Sequence, residues 1–285
     1  METIVSKEGD FFMSKRQRGF TRKKYEKWLK EGRGQGYDKE YKPWLTIQDV
    51  PSNGEATRIH GIKIDRQHDL LSRNEKNYFY IAEFADNVID IMEQYPLLPI
   101  EHTEIVAADI GVVHPSDPFT GENTVITCDF LLKVISDGKE KYIARTIKEL
   151  AELNDERQIQ KFEIERRYWE IKGIEWGIVT EDEFSTVLAK NISVIRSFYS
   201  LADIEGLEKL NQTQINCLIN EFKRYISEGK GIIRKISREF DNKMNLKAGT
   251  GIKIFKHLVA SKQVAIEMQK PLSLDKSIGV SIINS

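Results

Sequence analysis

The chain has 285 residues, 40% of them hydrophobic and 31% charged, with a formal net charge of −1. That composition is ordinary for a globular protein, and the length favours two domains over a single core. No apolar run approaches the ~18–20 residues needed to cross a bilayer, and no signal-type apolar stretch opens the chain, so a membrane role is excluded and a cytoplasmic location expected.

Met13-Ser14-Lys15 reads as an alternative start, which would make residues 1–12 dispensable. Nine Lys or Arg lie between Lys15 and Arg33 against two acids, with Phe20, Tyr25 and Trp28 interleaved. Residues 21–31 read as a short basic helix followed by Gly32, Gly34 and Gly36. A solvated helix face explains such a segment about as well as phosphate contact by Lys24, Lys30 and Arg33, with the glycines giving the backbone close access. Residues 44–48 read as a short extended piece closed by the turn Pro51-Ser52-Asn53-Gly54.

A helix is expected from Ser72 to Phe84, because Ser72 with Glu75 three positions later has the form of a capping box. His68 precedes it, where a capping or hydrogen-bonding role outweighs a metal or DNA contact. Residues 88–93 alternate like a strand. Residues 125–135 and 141–148 are β-rich, and Asp137-Gly138 between them is a strong hairpin signal. A charged amphipathic helix over 155–172 ends at Gly173, and residues 174–180 form another strand. Strand, helix, strand implies a right-handed parallel crossover beside the hairpin. Beyond residue 180 the pattern is mainly helical, with a small terminal β-like piece of the winged-helix type. Lys253, Lys256, Lys262 and His257 accompany apolar positions there and suit phosphate or a protein partner equally.

The hairpin permits a geometric expectation. A two-residue turn puts Asp129 opposite Thr146, on one face of the sheet, and alternation adds Lys148. Arg145 falls on the other face and is expected to pair structurally, as are Arg166 and Arg167 on their charged helix. A carboxylate, a neighbouring ligand position and a lysine on adjacent strands resemble the PD-(D/E)XK nuclease pattern. In that chemistry the carboxylate holds Mg²⁺ and the lysine stabilises charge or orients water. Glu75 would add a second carboxylate, although as the third helical residue it has a capping role to fill as well. Asp and Lys on a hairpin are more often a surface salt bridge than a catalytic pair.

Several segments, taken in order, are similar to the TnsA family, the endonuclease subunit of heteromeric bacterial cut-and-paste transposases. They are residues 30–36 with Lys42-Pro43-Trp44-Leu45-Thr46, His68 to Glu75, Glu93 to Pro99, Thr127 to Leu131, and Glu165-Arg166-Arg167-Tyr168-Trp169. The match spans roughly residues 25–180 and is looser near residues 251–270. The resemblance implies an α/β fold: a restriction-endonuclease-like mixed sheet flanked by helices over residues 25–182. A basic arm over residues 1–24 would precede it, and a mainly helical winged-helix-like DNA- and partner-binding domain over 183–285 would follow.

By the same resemblance, Glu75, Asp129 and Lys148 are the catalytic set. Glu75, Asp129, Thr146 and the Ile147 carbonyl would bind Mg²⁺, for which Mn²⁺ could substitute. Thr146 is the departure, standing where the family usually has glutamine. The partners implied are double-stranded transposon ends, a TnsB-type transposase and a TnsC-type ATPase regulator, all in a nucleoid-associated setting. DNA contacts would fall to Lys24, Lys30, Arg33, Lys253 and Lys256. The competing readings are a catalytically weak scaffold that recruits partners and a stand-alone restriction-type nuclease.

Overall fold

The computed structural model describes residues 19–50, 55–201, 204–208, 210–228 and 231–283. The alternative start at Met13, the most N-terminal basic residues and the turn at Pro51–Gly54 lie outside them.

Helix α1 (Arg22–Lys30) starts where the Thr21 hydroxyl accepts the Lys24 amide at 3.2 Å, and Lys27 and Lys30 in its last turn suit the helix dipole. It buries Tyr25 and Trp28 against Phe20, Trp44, Ile100 and Val125. The helix therefore runs across the boundary expected at residue 24, and the basic segment from residue 19 belongs to the first core rather than to a separate arm. Residues 44–48 are not extended. The Asp49 carboxylate accepts the Thr46 amide at 3.0 Å and its hydroxyl at 2.7 Å, folding the segment into a turn.

A hairpin follows, β1 (Thr57–His60) with β2 (Gln67–Leu70), and then α2 (Arg73–Phe84) and β3 (Val88–Pro96). Helix α3 (Ile100–Asp109) leads to the hairpin β4 (Thr127–Ser136) and β5 (Lys139–Ile147), and α4 (Glu156–Ile171) crosses over to β6 (Glu175–Val179). The sheet order is β3-β4-β5-β6, antiparallel until β6 joins β5 in parallel. Asp137 and Gly138 both have positive φ, 53° and 72°, the two-residue turn that the hairpin signal called for. One face of the sheet packs Phe79 and Ala82 of α2 on Ile91, Phe130, Leu132 and Ile147. The other packs Ile164, Tyr168 and Trp169 of α4 on Met92, Cys128, Leu131 and Ala144.

The C-terminal region has its own apolar core, drawn from α5 (Thr186–Ile195), α6 (Gln212–Glu228), α7 (Ile233–Lys243), α8 (Thr250–Ala260) and the hairpin β7 (Val264–Ile266) with β8 (Val280–Ile282). It is fastened to the C-terminal end of α2. Phe84 packs into its core, and Arg196 donates to Glu83 at 2.9 Å and to the His60 carbonyl at 2.8 Å. Lys262 pairs with Asp86 and lies over the Phe84 ring. Eight of the eleven residues of α8 are buried. Its neighbours include α5 and the short turn at 196–198, so it has no broad exposed face of the kind a DNA-reading helix presents.

Candidate active site

Glu75 owes its position to the start of α2. Ser72 is extended, with φ of −137°, and its hydroxyl accepts the Glu75 amide at 3.1 Å. Glu75 then folds back and accepts the Leu71 amide at 2.9 Å, so it does serve the cap. That bond leaves the carboxylate free to face the sheet.

Asp129 reaches the same place from a break in the β4–β5 ladder. Ser136 opposite Lys139 and Phe130 opposite Arg145 are the register expected of the two-residue turn, but the next rung, Asp129 with Thr146, is not formed. Instead the Asp129 carboxylate accepts the Ile147 amide at 2.7 Å. Period-2 alternation fails at the same point: Cys128 and Leu131, three residues apart, share the α4-side core. In β3 the same skip separates Met92 from Tyr95, across Gln94 with φ of 48°. Both irregularities free a polar side chain from the alternation of its strand.

Those side chains meet. Gln94 is 2% exposed, and its Nε2 lies 3.3 Å from Glu75 Oε2 and 3.3 Å from Asp129 Oδ1. Its Oε1 accepts the Thr127 hydroxyl at 3.2 Å. Behind it Glu93 is fully buried, gripped by Arg66 at 2.5 and 2.7 Å and by His68 Nδ1 at 2.9 Å. Burial alone would raise the Glu93 carboxyl, but the hydrogen bonds from Arg66 and His68 outweigh it and hold it at about 2. His68 thus sits in β2 as a hydrogen-bonding residue rather than in a loop.

Lys148 leaves the end of β5, where its amide continues the pairing with β6 by donating to the Val179 carbonyl at 3.1 Å. Its Nζ stands 3.9 Å from Asp129 Oδ2. Asp129 is the main cause holding the Lys148 ammonium above its ordinary range. Glu75 responds in the opposite sense: burial, and next the Asp129 charge, push its carboxyl up to about 7. Glu75, Ile147 and Lys148 line a polar cavity of about 690 Å³, with Arg73 and the further carboxylates Glu55, Glu149, Glu152 and Glu181 around it. Two crowded carboxylates beside a lysine on a polar cavity form a hard-oxygen site suited to a divalent cation and a phosphate.

The comparisons agree with that chemistry. A model of the TnsA-like endonuclease N-terminal domain matches residues 85–181, and one of the TnsA endonuclease C-terminal domain matches residues 183–268. The chain belongs to the TnsA endonuclease family. It is 34% identical over 270 residues to the transposon Tn7 transposition protein TnsA of Escherichia coli, covering 95% of each chain. It is therefore a transposase endonuclease subunit, a hydrolase acting on DNA, and the stand-alone restriction-type reading is set aside. Among the described residues, no helix is long and apolar enough to cross a membrane.

Glu75, Asp129 and Lys148, the set that the resemblance implies to be catalytic, come together in this chain. Thr146 does not join them. Its hydroxyl donates to Glu165 at 2.7 Å and accepts from Trp176 at 3.0 Å, on the α4 side of the sheet. The same-face expectation fails because the ladder opens before its rung, so Thr146 and Asp129 turn apart. Reading by strand alternation missed Gln94 and Glu165, a fully buried acid whose carboxyl is raised by desolvation. Gln94 lies within the segment 93–99 that carried the family resemblance, which is the one signal that could have found it.

Most of the basic positions expected to meet DNA have partners inside the protein. Arg33 donates to Asp49 at 2.6 Å and to the Trp44 carbonyl at 2.9 Å, and stacks on Trp28 at 4.1 Å. Lys24 lies over the same ring at 4.8 Å, whereas Lys30 is exposed at the end of α1. Lys253 pairs with Glu205 at 3.1 Å and Lys256 lies over the Phe198 ring at 4.6 Å. The glycine loop also serves the fold: a Cβ on Gly34, at φ of 72°, would stand 2.2 Å from Pro96 Cγ at the end of β3. Arg145 pairs with Glu175, and Arg166 and Arg167 with Glu163, as expected of structural ion pairs.

Proposed function

We propose that Glu75 and Asp129 hold Mg²⁺, for which Mn²⁺ can substitute, and that with Lys148 they hydrolyse the phosphodiester at the 5′ ends of a transposon. One observation carries this reading. Glu75 from a helix start and Lys148 from a strand end line one polar cavity, and Asp129 stands against both, sharing the Gln94 amide with Glu75 and lying 3.9 Å from the Lys148 ammonium, where burial and the Asp129 charge disfavour ionisation of Glu75. Among the described residues no cluster of three acids, histidines or cysteines offers a metal cage. That suits Mg²⁺, which keeps several waters and takes one or two carboxylates. The Ile147 carbonyl, at the open end of the ladder, is the natural further ligand, whereas the Thr146 hydroxyl is committed to Glu165.

When bound, the ion supplies Lewis acidity toward the scissile phosphate and lowers the pKa of a coordinated water. The rest falls to the chain. Lys148 stays protonated beside Asp129, holding a positive charge where negative charge accumulates in the transition state. The Ile147 amide keeps Asp129 aimed into the site. Arg66 neutralises Glu93, to which His68 is hydrogen-bonded, so the strand beneath the site adds no further charge. Lys30 and Lys24 on α1 are the basic positions proposed to meet backbone phosphates. Arg33, Lys253 and Lys256 are proposed as structural.

The family resemblance supports a TnsB-type transposase acting at the 3′ ends and a TnsC-type ATPase as regulator. The C-terminal region, with the helix-and-hairpin order of a winged helix but α8 buried, is proposed to serve partners more than DNA. The test is cleavage of duplex transposon-end DNA in the assembled transposase with Mg²⁺. Asp129→Ala should lose 5′-strand cleavage while still folding cooperatively without metal, at a cost of about 1–3 kcal/mol for the stranded Ile147 amide. Retained cleavage in that variant would refute the assignment.

A further inference from the structure

We propose that Gln94 belongs to the same site as an amide switch: its Nε2 clamps Glu75 and Asp129 when the cation is absent, and its Oε1 turns to the cation when it is present. This rests on the metal reading above and adds a residue to it. The Nε2 stands equidistant from the two carboxylates, one hydrogen for each, where it offsets their repulsion. At 3.3 Å both bonds are longer than the usual 2.9–3.0 Å, as expected of a donor stretched between two acceptors.

The environment supports both orientations. Thr127 donates its hydroxyl to Gln94 Oε1 at 3.2 Å. A hydroxyl can also accept, so after a half-turn of the amide it would take a bond from Nε2 without backbone movement. The oxygen would then face the carboxylates, which is repulsive unless a cation lies between them. The orientation is thus coupled to occupancy.

Other ways of responding are closed off. The side chain is buried, and its left-handed backbone is tied by the Trp44 amide to the Gln94 carbonyl at 3.2 Å. The preceding Glu93 is locked by Arg66 and His68. A left-handed non-glycine residue in a strand is costly, and here it is what aims the amide at the site.

The experiment uses the full chain. Mn²⁺ binding is followed by titration calorimetry, with duplex DNA added if the free protein binds weakly, for wild type, Gln94→Met, Gln94→Glu and Asp129→Ala. Gln94→Met should weaken Mn²⁺ binding about 10–100-fold, the usual effect of losing such a partner at a metal site. Gln94→Glu keeps an oxygen donor and should restore or exceed wild-type affinity while lowering stability without metal. In wild type, the Gln94 side-chain amide proton resonances should shift on Mg²⁺ addition, an observation that needs no variant to fold.

Gln94→Met binding Mn²⁺ as tightly as wild type, with Asp129→Ala binding none, would overturn the switch alone and leave Gln94 a structural clamp. Unmoved Gln94 amide resonances at saturating Mg²⁺ would do the same. No Mn²⁺ binding by wild type, or full binding by Asp129→Ala, would overturn the metal reading and the switch with it.

Discussion

Glu75→Gln should make the metal-free protein more stable, and more so at higher pH. Burial and the Asp129 charge raise the Glu75 carboxyl to about 7 from an ordinary 4.5. Between those values the folded protein binds a proton that the unfolded chain releases, so stability is lost as pH rises through the window and is flat above it. The gap of about 2.5 units corresponds to roughly 3 kcal/mol at pH 8 and little below pH 4.5. Glutamine keeps the shape, can still accept the Leu71 amide, and carries no charge to desolvate. Urea unfolding in EDTA at pH 5 and pH 8 measures the difference between variant and wild type. The advantage of the variant should grow by about 2–3 kcal/mol between the two pH values. For a unit of 150–250 residues that is roughly 4–12 °C in melting temperature. Added Mg²⁺ should then stabilise wild type and leave the variant nearly unmoved. An equal difference at both pH values, or a variant less stable at pH 8, would refute the reasoning, because the carboxylate would then not be paying for its charge.

The other predictions run through neighbouring groups. Arg66→Met leaves the fully buried Glu93 carboxylate with only His68 and the Asp69 amide among the described residues and should cost about 3–5 kcal/mol in urea unfolding at pH 7. Because Glu93 is held down at about 2, its contribution is complete above its ordinary 4.5 and fades as pH falls toward 2, so Glu93→Gln should lose most near neutrality and little near pH 2. Thr146→Val removes the hydroxyl from Glu165 and should cost about 1–3 kcal/mol in stability with Mn²⁺ affinity unchanged; a lost metal site would instead make Thr146 a ligand. Arg196→Ala leaves Glu83 buried and partnered only by the Ile62 amide. It should loosen the junction at α2, seen as faster amide exchange in the loop at 60–64.

How much was legible follows from what fixes each feature. The capping sequence at Ser72, the Asp137-Gly138 turn and the β5–α4–β6 crossover depend on local chemistry, and each stands where that chemistry puts it. The hairpin register is equally local, since two turn residues decide it. Thr146 and Asp129 part because the ladder opens one rung early, where a side chain, Asp129, takes the place of a backbone partner for Ile147. Strand alternation has no means of announcing that exchange. The same applies to Gln94, whose left-handed backbone is tied by the Trp44 amide and follows a Glu93 that Arg66 and His68 hold in place. The turn at Thr46–Asp49 was readable in principle, because aspartate three residues after threonine competes with an extended backbone. The internal partners of Lys24, Arg33, Lys253 and Lys256 were not legible for a different reason. Trp28, Asp49, Glu205 and Phe198 are brought in by tertiary packing.

These internal pairings bear on how the subunit meets its substrate. Nucleic-acid affinity without sequence preference comes chiefly from cations free to displace counterions from phosphates. Among the described residues the cavity is walled by Glu55, Glu149, Glu152 and Glu181, against Lys148 and an Arg73 that already pairs with Glu55 at 2.6 Å. Glu181 and Glu152 are held there by backbone amides, those of Leu150 and Glu149, and so cannot swing aside without uncapping the turn at 150–154. A phosphodiester approaching this cavity meets net negative charge until a divalent ion and the cations of other proteins enter. The proposed site therefore has little electrostatic pull toward DNA by itself, as expected of a nuclease that works as one subunit of a transposase. It follows that the isolated chain should bind duplex DNA weakly, with a shallow salt dependence. A steep one, equivalent to many released counterions, would mean that cations away from the cavity, on α1 or before Gly19 in the sequence, supply what the cavity lacks.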